Sequence, residues 1–211
     1  MIVYGSPLSQ PTRAVRILLA SNNIDYEFRK VNLREVENKS EWFLKLNPNG
    51  LVPVIDDDGF ILSEAAAIMA YVCESRNLHA IYPPDTRKRA LVNQWLHWAH
   101  SNSRLGTRVV LSEKLLNRKA RPGEMESFAG ALHVLDDHLS ARNYLVDELS
   151  IADLFVCVDL DQTHIANIYD FSEFPNVLGW LSRLAALNGY DELLDPLRHV
   201  STRFARGAVK L

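Results

Sequence analysis

Cysteine is scarce in this 211-residue chain: only Cys73 and Cys157 occur. Two thiols cannot build the disulfide framework of a small secreted domain, and the chain is long enough to bury a core without one. Both lie in apolar stretches, where free cysteine behaves as a small hydrophobe, so a reducing compartment, the cytoplasm, is expected. Long hydrophobic runs are also missing. None approaches the ~20 residues that a membrane span requires. Met1-Ile2-Val3-Tyr4-Gly5 shows no basic segment followed by a long apolar one, so no secretory signal is expected. Val209-Lys210-Leu211 differs from a peroxisomal tail in having valine before the lysine. Concentrated basic charge is absent as well. The formal net charge is −3, and only Arg87-Lys88-Arg89 and the stretch from Arg198 to Lys210 gather cations. Nucleic acid is therefore not an expected partner.

What is present reads as two halves. Ile2 to Tyr4 is a short β-rich run cut off by Gly5-Ser6-Pro7. A helix follows from Thr12 to about Ser21, with Pro11 suited to its first turn and Val15, Leu18 and Leu19 forming its buried stripe. Tyr26 to Val31 reads as a second strand, parallel to the first through a right-handed crossover. A short helix from Ser40 to Leu46 is stopped by Asn47-Pro48. Val54-Ile55 and Phe60-Ile61-Leu62 flank Asp56-Asp57-Asp58-Gly59, which predicts a hairpin. Ser63-Glu64 opens a further apolar helix, Ala65 to about Cys73. This order, βαβαββα, predicts an α+β fold: a thioredoxin-like domain over residues 1–77, a proline-rich linker over 78–84, and an all-helical domain over 85–211. In the helical part, the spacing predicts one long helix from Thr86 to about Lys114, another from Glu124 to about Ala141, and shorter ones over Pro175 to Ala186 and Gly189 to Leu194. Ser150-Ile151-Ala152-Asp153 is a capping-box start, with Leu149 and Leu154 placed as a hydrophobic staple.

The most informative short stretch is Asn47 to Asp56. A proline directly before a strand removes a ladder donor. Its presence makes sense if the Val52-Pro53 bond is cis and turns the backbone so that Val52 offers its N–H and C=O to a ligand.

Tyr4 to Val15, Asn47 to Pro53, Leu62-Ser63-Glu64 and Leu149 to Leu154 stand in the order and spacing of cytosolic glutathione transferases. The chain resembles that family over nearly its whole length, the serine-type theta and phi classes above all. The resemblance implies a glutathione transferase that joins the glutathione thiolate to small hydrophobic electrophiles. Glutathione is then a co-substrate, no cofactor is permanently bound, and the assembly is a homodimer. Ser9 is the residue implied to stabilise the thiolate; its plain alternative is a helix cap. Leu51, Val52, Pro53, Glu64, Ala65, Asn38 and Lys39 are implied to form the glutathione site, with Val52 pairing to the cysteinyl backbone by strand addition. Ala65 stands where relatives have a serine or threonine for the γ-glutamyl carboxylate, and Leu51 where many have lysine or glutamine. Leu8, His100, Ser101 and Arg104 are implied to form the electrophile site, although Arg104 also reads as a surface or interface arginine. His97 and His100 share a helical face, but no acid or cysteine at ligand spacing joins them, so no metal is expected. Two other functional classes fit the same fold. A non-catalytic scaffold is favoured by Ala65 and Leu51. A thiol–disulfide reductase needs a cysteine at the first helix start, where Ser9 and Thr12 stand.

Overall fold

The computed structural model describes residues 1–111 and 119–205. Its first part is a four-stranded mixed sheet in the order β2-β1-β3-β4. β1 (Ile2–Gly5) is followed by α1 (Gln10–Ser21) and β2 (Glu27–Lys30), which pairs parallel to β1 with Val3 opposite Phe28. Two 3-10 turns, Leu33–Glu35 and Glu37–Lys39, lead to α2 (Glu41–Leu46). β3 (Val54–Asp57) runs antiparallel to β1, and β4 (Phe60–Ser63) antiparallel to β3. The two-residue turn between them places Asp58 and Gly59 at φ 54 and 92, and the Gly59 N–H donates to Asp56 Oδ1 at 2.7 Å. That is the hairpin the acidic stretch predicts: aspartate tolerates the left-handed region, and glycine enters it freely. α3 (Ala65–Ser75) closes this part. The thioredoxin-like order βαβαββα is therefore present as expected.

The second part is helical: α4 (Thr86–Ser101), α5 (Ser103–Gly106), a single π-type turn (Thr107–Leu111), α6 (Glu124–Leu139), α7 (Ile151–Ile165), α8 (Pro175–Ala185) and α9 (Tyr190–Ala205). Two sequence expectations need correction. The long helix from Thr86 breaks at Asn102, whose φ and ψ are −123° and −80°. The cause lies across the core, where buried Asp159 accepts from Ser103 Oγ at 2.8 Å and sits 2.8 Å from Arg104 Nε. The expected end at Lys114 lies outside the described residues, as does the terminal Val209-Lys210-Leu211. The helix expected to stop at Leu194 instead runs on through Pro196 to Ala205. Leu193, Leu194 and Leu197 are all buried, and that burial outweighs the one backbone bond that proline removes.

α7 is the central rod. Of its residues, Ile151 to Asp161 and Thr163 are all buried. Its start is the predicted capping box: Asp153 accepts from the Ser150 N–H and Oγ, each at 2.9 Å. α1 packs directly on α7, and one continuous cluster of buried side chains runs from Val3 through Leu18 and Val156 to Trp180. The two halves thus share a core. Among the described residues, no helix is long and apolar enough to cross a membrane.

Candidate functional site

The turn after β1 brings the chain from the sheet into α1. Gly5 has no side chain because there is no room for one: a Cβ there would lie 2.4 Å from Thr12 Cγ2. Ser9 takes extended φ/ψ (−76°, 122°) and caps α1, its Oγ accepting from the Thr12 N–H at 3.4 Å. The cap uses an oxygen lone pair, so the hydroxyl proton stays free to donate elsewhere. Capping and thiolate stabilisation are therefore compatible at this residue. Pro11 fills the first turn, where a missing N–H leaves nothing unsatisfied.

The second piece is the loop after α2. Asn47 pins it internally, donating from Nδ2 to Leu51 O at 2.8 Å and accepting from the Asn49 N–H at 3.1 Å. Asn38 Nδ2 holds Gly50 O and Lys39 Nζ holds Asn49 O, each at 2.8 Å. Gly50 sits at φ +61, and a Cβ on it would lie 2.6 Å from Lys39 Nζ. The loop ends in a cis Val52-Pro53 bond. β3 begins only at Val54, so Val52 stands ahead of the sheet ladder with its backbone outside it.

The third piece is the start of α3. Glu64 occupies the cap position at φ 69 and ψ 108, with no side-chain cap bond. The first-turn N–H groups of α3 and its positive dipole end therefore stay available beside an exposed carboxylate.

These pieces form one wall of a cleft of about 630 Å³; α4, α5 and α7 form the other. Leu51, Val52, Pro53, Glu64 and Ala65 line it from the first half, and His100 and Arg104 from the second. All seven were singled out in the sequence. Asn38 and Lys39 are not lining residues; they hold the backbone of the loop that carries the lining. Ser9, Leu8 and Ser101 are not lining side chains either, and the α1 contribution is Pro11. Sequence reading missed Asn47, Asn93, Leu96 and Phe155 as lining residues. Only the helical spacing of Asn93, His97 and His100 (i, i+4, i+7) could have pointed to a shared face.

Arg104 is the best-supported charged group of the helical wall. Its Nε pairs with Asp159 Oδ1, its guanidinium lies 5.7 Å over the Phe155 ring, and that ring is also packed edge-on against His100. Asp159 is wholly buried, and burial raises its carboxyl pKa while Arg104 and Ser103 hold it down. Neither cysteine is a candidate nucleophile. Burial pushes the Cys73 thiol up to about 12 and the Cys157 thiol well above its ordinary value. Among the described residues, no three metal-ligating side chains gather.

With this geometry in view, likeness to known proteins becomes specific. Residues 3–80 match the glutathione S-transferase N-terminal domain. Rat glutathione S-transferase theta-1 is 31% identical over 92% of this chain and 85% of its own length. The chain belongs to the glutathione S-transferase family. A delta-class glutathione transferase of Nilaparvata lugens superposes with a TM-score of 0.88 at 25% identity, covering 99% of each chain. A human theta-class transferase, solved in complex with the glutathione conjugate of 1-menaphthyl sulfate, superposes with a TM-score of 0.84 at 28% identity, covering 98% of this chain and 89% of that one.

Proposed function

We propose that this chain is a glutathione transferase that activates glutathione and adds its sulfur to small, largely apolar electrophiles. The observation that carries this is the cleft itself. One wall offers the Val52 backbone and the open start of α3 beside Glu64, and the other offers Phe155, Leu96, His100 and Arg104. In this reading, glutathione lies extended along the first wall. Its cysteinyl backbone adds to Val52 as an extra strand, and its γ-glutamyl end meets Glu64 and the backbone at Ala65. Lys39, held beside Gly50, supplies the cation for the glycyl carboxylate, for which Leu51 has none. Ser9 donates a hydrogen bond to the sulfur, and the thiol proton leaves to solvent. An unperturbed thiol has a pKa of ~8.5, and this hydrogen bond together with the α1 dipole favours the thiolate near neutral pH. The sulfur then forms a bond to the electrophilic carbon, and the leaving group departs with the bonding pair. The electrophile rests against Phe155, Leu96, His100 and Arg104. The enzyme works in the cytoplasm as a homodimer.

The test compares wild type with Ser9→Ala for retention on immobilised glutathione and for turnover of a generic aryl halide. Retention should survive in the variant while turnover falls by ~100- to 1,000-fold, the range seen when a charge-stabilising donor is removed. Undiminished turnover in Ser9→Ala removes Ser9 from the mechanism. Neither retention nor turnover in wild type leaves the scaffold reading, which the alanine at position 65 favours through its missing hydroxyl.

A further inference from the structure

Both residues that flank Ser9 are tied to the helical half. Leu8 offers its carbonyl to Arg13 Nη1 at 3.0 Å. The same guanidinium donates through Nη2 to Val158 O at 3.1 Å and to Gln162 Oε1 at 3.3 Å, both on α7. On the other side, Gln10 Nε2 donates to Thr107 Oγ1 in the π-type turn. Arg13 has no solvent exposure. Its Nε finds no partner among the described residues, so its orientation is set by the three oxygens that the two Nη atoms reach. A buried arginine serving only to join the halves could bond α7 alone. This one spends a nitrogen on the carbonyl directly before Ser9.

We propose that Arg13 is a positioning residue for Ser9: it fixes the Leu8-Ser9 turn from α7, with Gln10–Thr107 as a second clamp. The helical half then supplies more than the electrophile pocket, because it also sets where the Ser9 hydroxyl stands over the glutathione wall. The inference rests on the reading of Ser9 given above. It assigns no contact between Arg13 and substrate. Two consequences separate it from a purely structural role. The Val52 loop and the α3 start are held by their own bonds, so glutathione binding should be spared when Arg13 is changed. The step that depends on the Ser9 hydroxyl should suffer.

The experiment uses Arg13→Lys in the full chain. A lysine keeps the charge but, as a point donor on a flexible stem, cannot hold three separated oxygens in a fixed fork. Hydrogen exchange is followed in residues 6–12, together with kcat, glutathione KM and the pH profile of turnover. Exchange in 6–12 should accelerate at least ~10-fold, with the β3–β4 hairpin and α6 unchanged. kcat should fall ~10- to 100-fold, the scale of an ångström-level misplacement. Glutathione KM should stay within about twofold, and the pH midpoint should move up toward the ~8.5 of a free thiol. Gln162→Leu removes one α7 anchor while leaving Arg13 in place, and should move the same readouts in the same direction by a smaller factor. It also decides the matter if Arg13→Lys does not fold. Unchanged exchange in 6–12, or a lower kcat and a raised KM together with a loss of global stability, overturns the proposal. If wild type shows no turnover, the Ser9 reading fails on its own, and the exchange comparison still decides whether Arg13 holds the turn.

Discussion

Replacing Asp153 by alanine should cost this protein a large part of its stability, and the structure sets the amount. Asp153 is wholly buried at the start of α7. Its Oδ1 accepts from the Leu145 N–H and the Trp180 Nε1–H, and its Oδ2 from the Ser150 N–H and hydroxyl, all four at 2.9 Å. One carboxylate thus fastens the loop before α7, the cap of α7 and a tryptophan of α8. In Asp153→Ala, the serine hydroxyl can rotate away, but three buried donors are left without an acceptor. At ~1–3 kcal/mol for each orphaned donor, the loss is about 3–9 kcal/mol, set against a total of about 5–15 for a folded domain. The desolvation that raises the Asp153 pKa is relieved in the variant, which places the expected loss toward the lower end, at about 4 kcal/mol. Asp153→Asn is the informative companion. Its amide oxygen can keep Leu145 and Trp180, while its NH2 faces the Ser150 N–H, so about one donor is orphaned and the cost is ~1–3 kcal/mol. Urea unfolding followed by tryptophan fluorescence and far-UV circular dichroism measures both, and buried Trp180 reports directly on the site. Asp153→Ala within about 1 kcal/mol of wild type, or no less stable than Asp153→Asn, would refute the closed-network argument.

Two further expectations come from other buried groups. Burial raises the carboxyl of Asp161 from 3.8 to about 6, against the opposing pull of the Tyr190 hydroxyl bond and of Arg13. The folded state then holds this proton more tightly than the unfolded one, so the associated stability is full below about pH 4 and lost as pH rises through about 6, some ~3 kcal/mol in all. Urea midpoints of wild type measured from pH 4 to 7 should fall relative to Asp161→Asn over that window, and parallel curves would refute it. Gly50→Ala puts a Cβ at φ +61 and 2.6 Å from Lys39 Nζ, a strain of about 1–2 kcal/mol in the loop carrying Val52. Glutathione KM should rise roughly tenfold, with melting temperature lowered by about 2–8 °C; an unaltered KM would mean that the loop does not position the peptide.

Local chemistry made the first half readable. β1, β3 and β4 are short β-rich runs, the Asp58-Gly59 turn has left-handed formers in order, and Pro11 and Ser9 mark the start of α1 by rules that act within four residues. The capping box at Ser150 and Asp153 is equally local. The cis bond at Val52-Pro53 could be expected because the residues on either side made a plain turn a poor account of the proline. From these, sequence alone determined the α+β order, the capped starts of α1 and α7, and the backbone-presenting loop.

Other features depend on residues far apart in the chain. Apolar spacing runs straight through Asn102, so nothing local announced the break after α4; Asp159, more than fifty positions on, draws Ser103 and Arg104 out of register. Pro196 locally argues for a helix end, and only the burial of Leu193, Leu194 and Leu197 against the rest of the core carries α9 past it. Phe155 reads as core from sequence, and only the approach of α7 to α4 makes it a cleft wall. Arg13 is the clearest case. No periodicity in the sequence reveals that Arg13 is buried or that Val158, Gln162 and Leu8 accept from it. Short-range rules act through bonds and hydrogen bonds that the neighbouring residues themselves supply. Where a buried charge finds its partners is decided only when distant segments pack and exclude the water that would otherwise have solvated it.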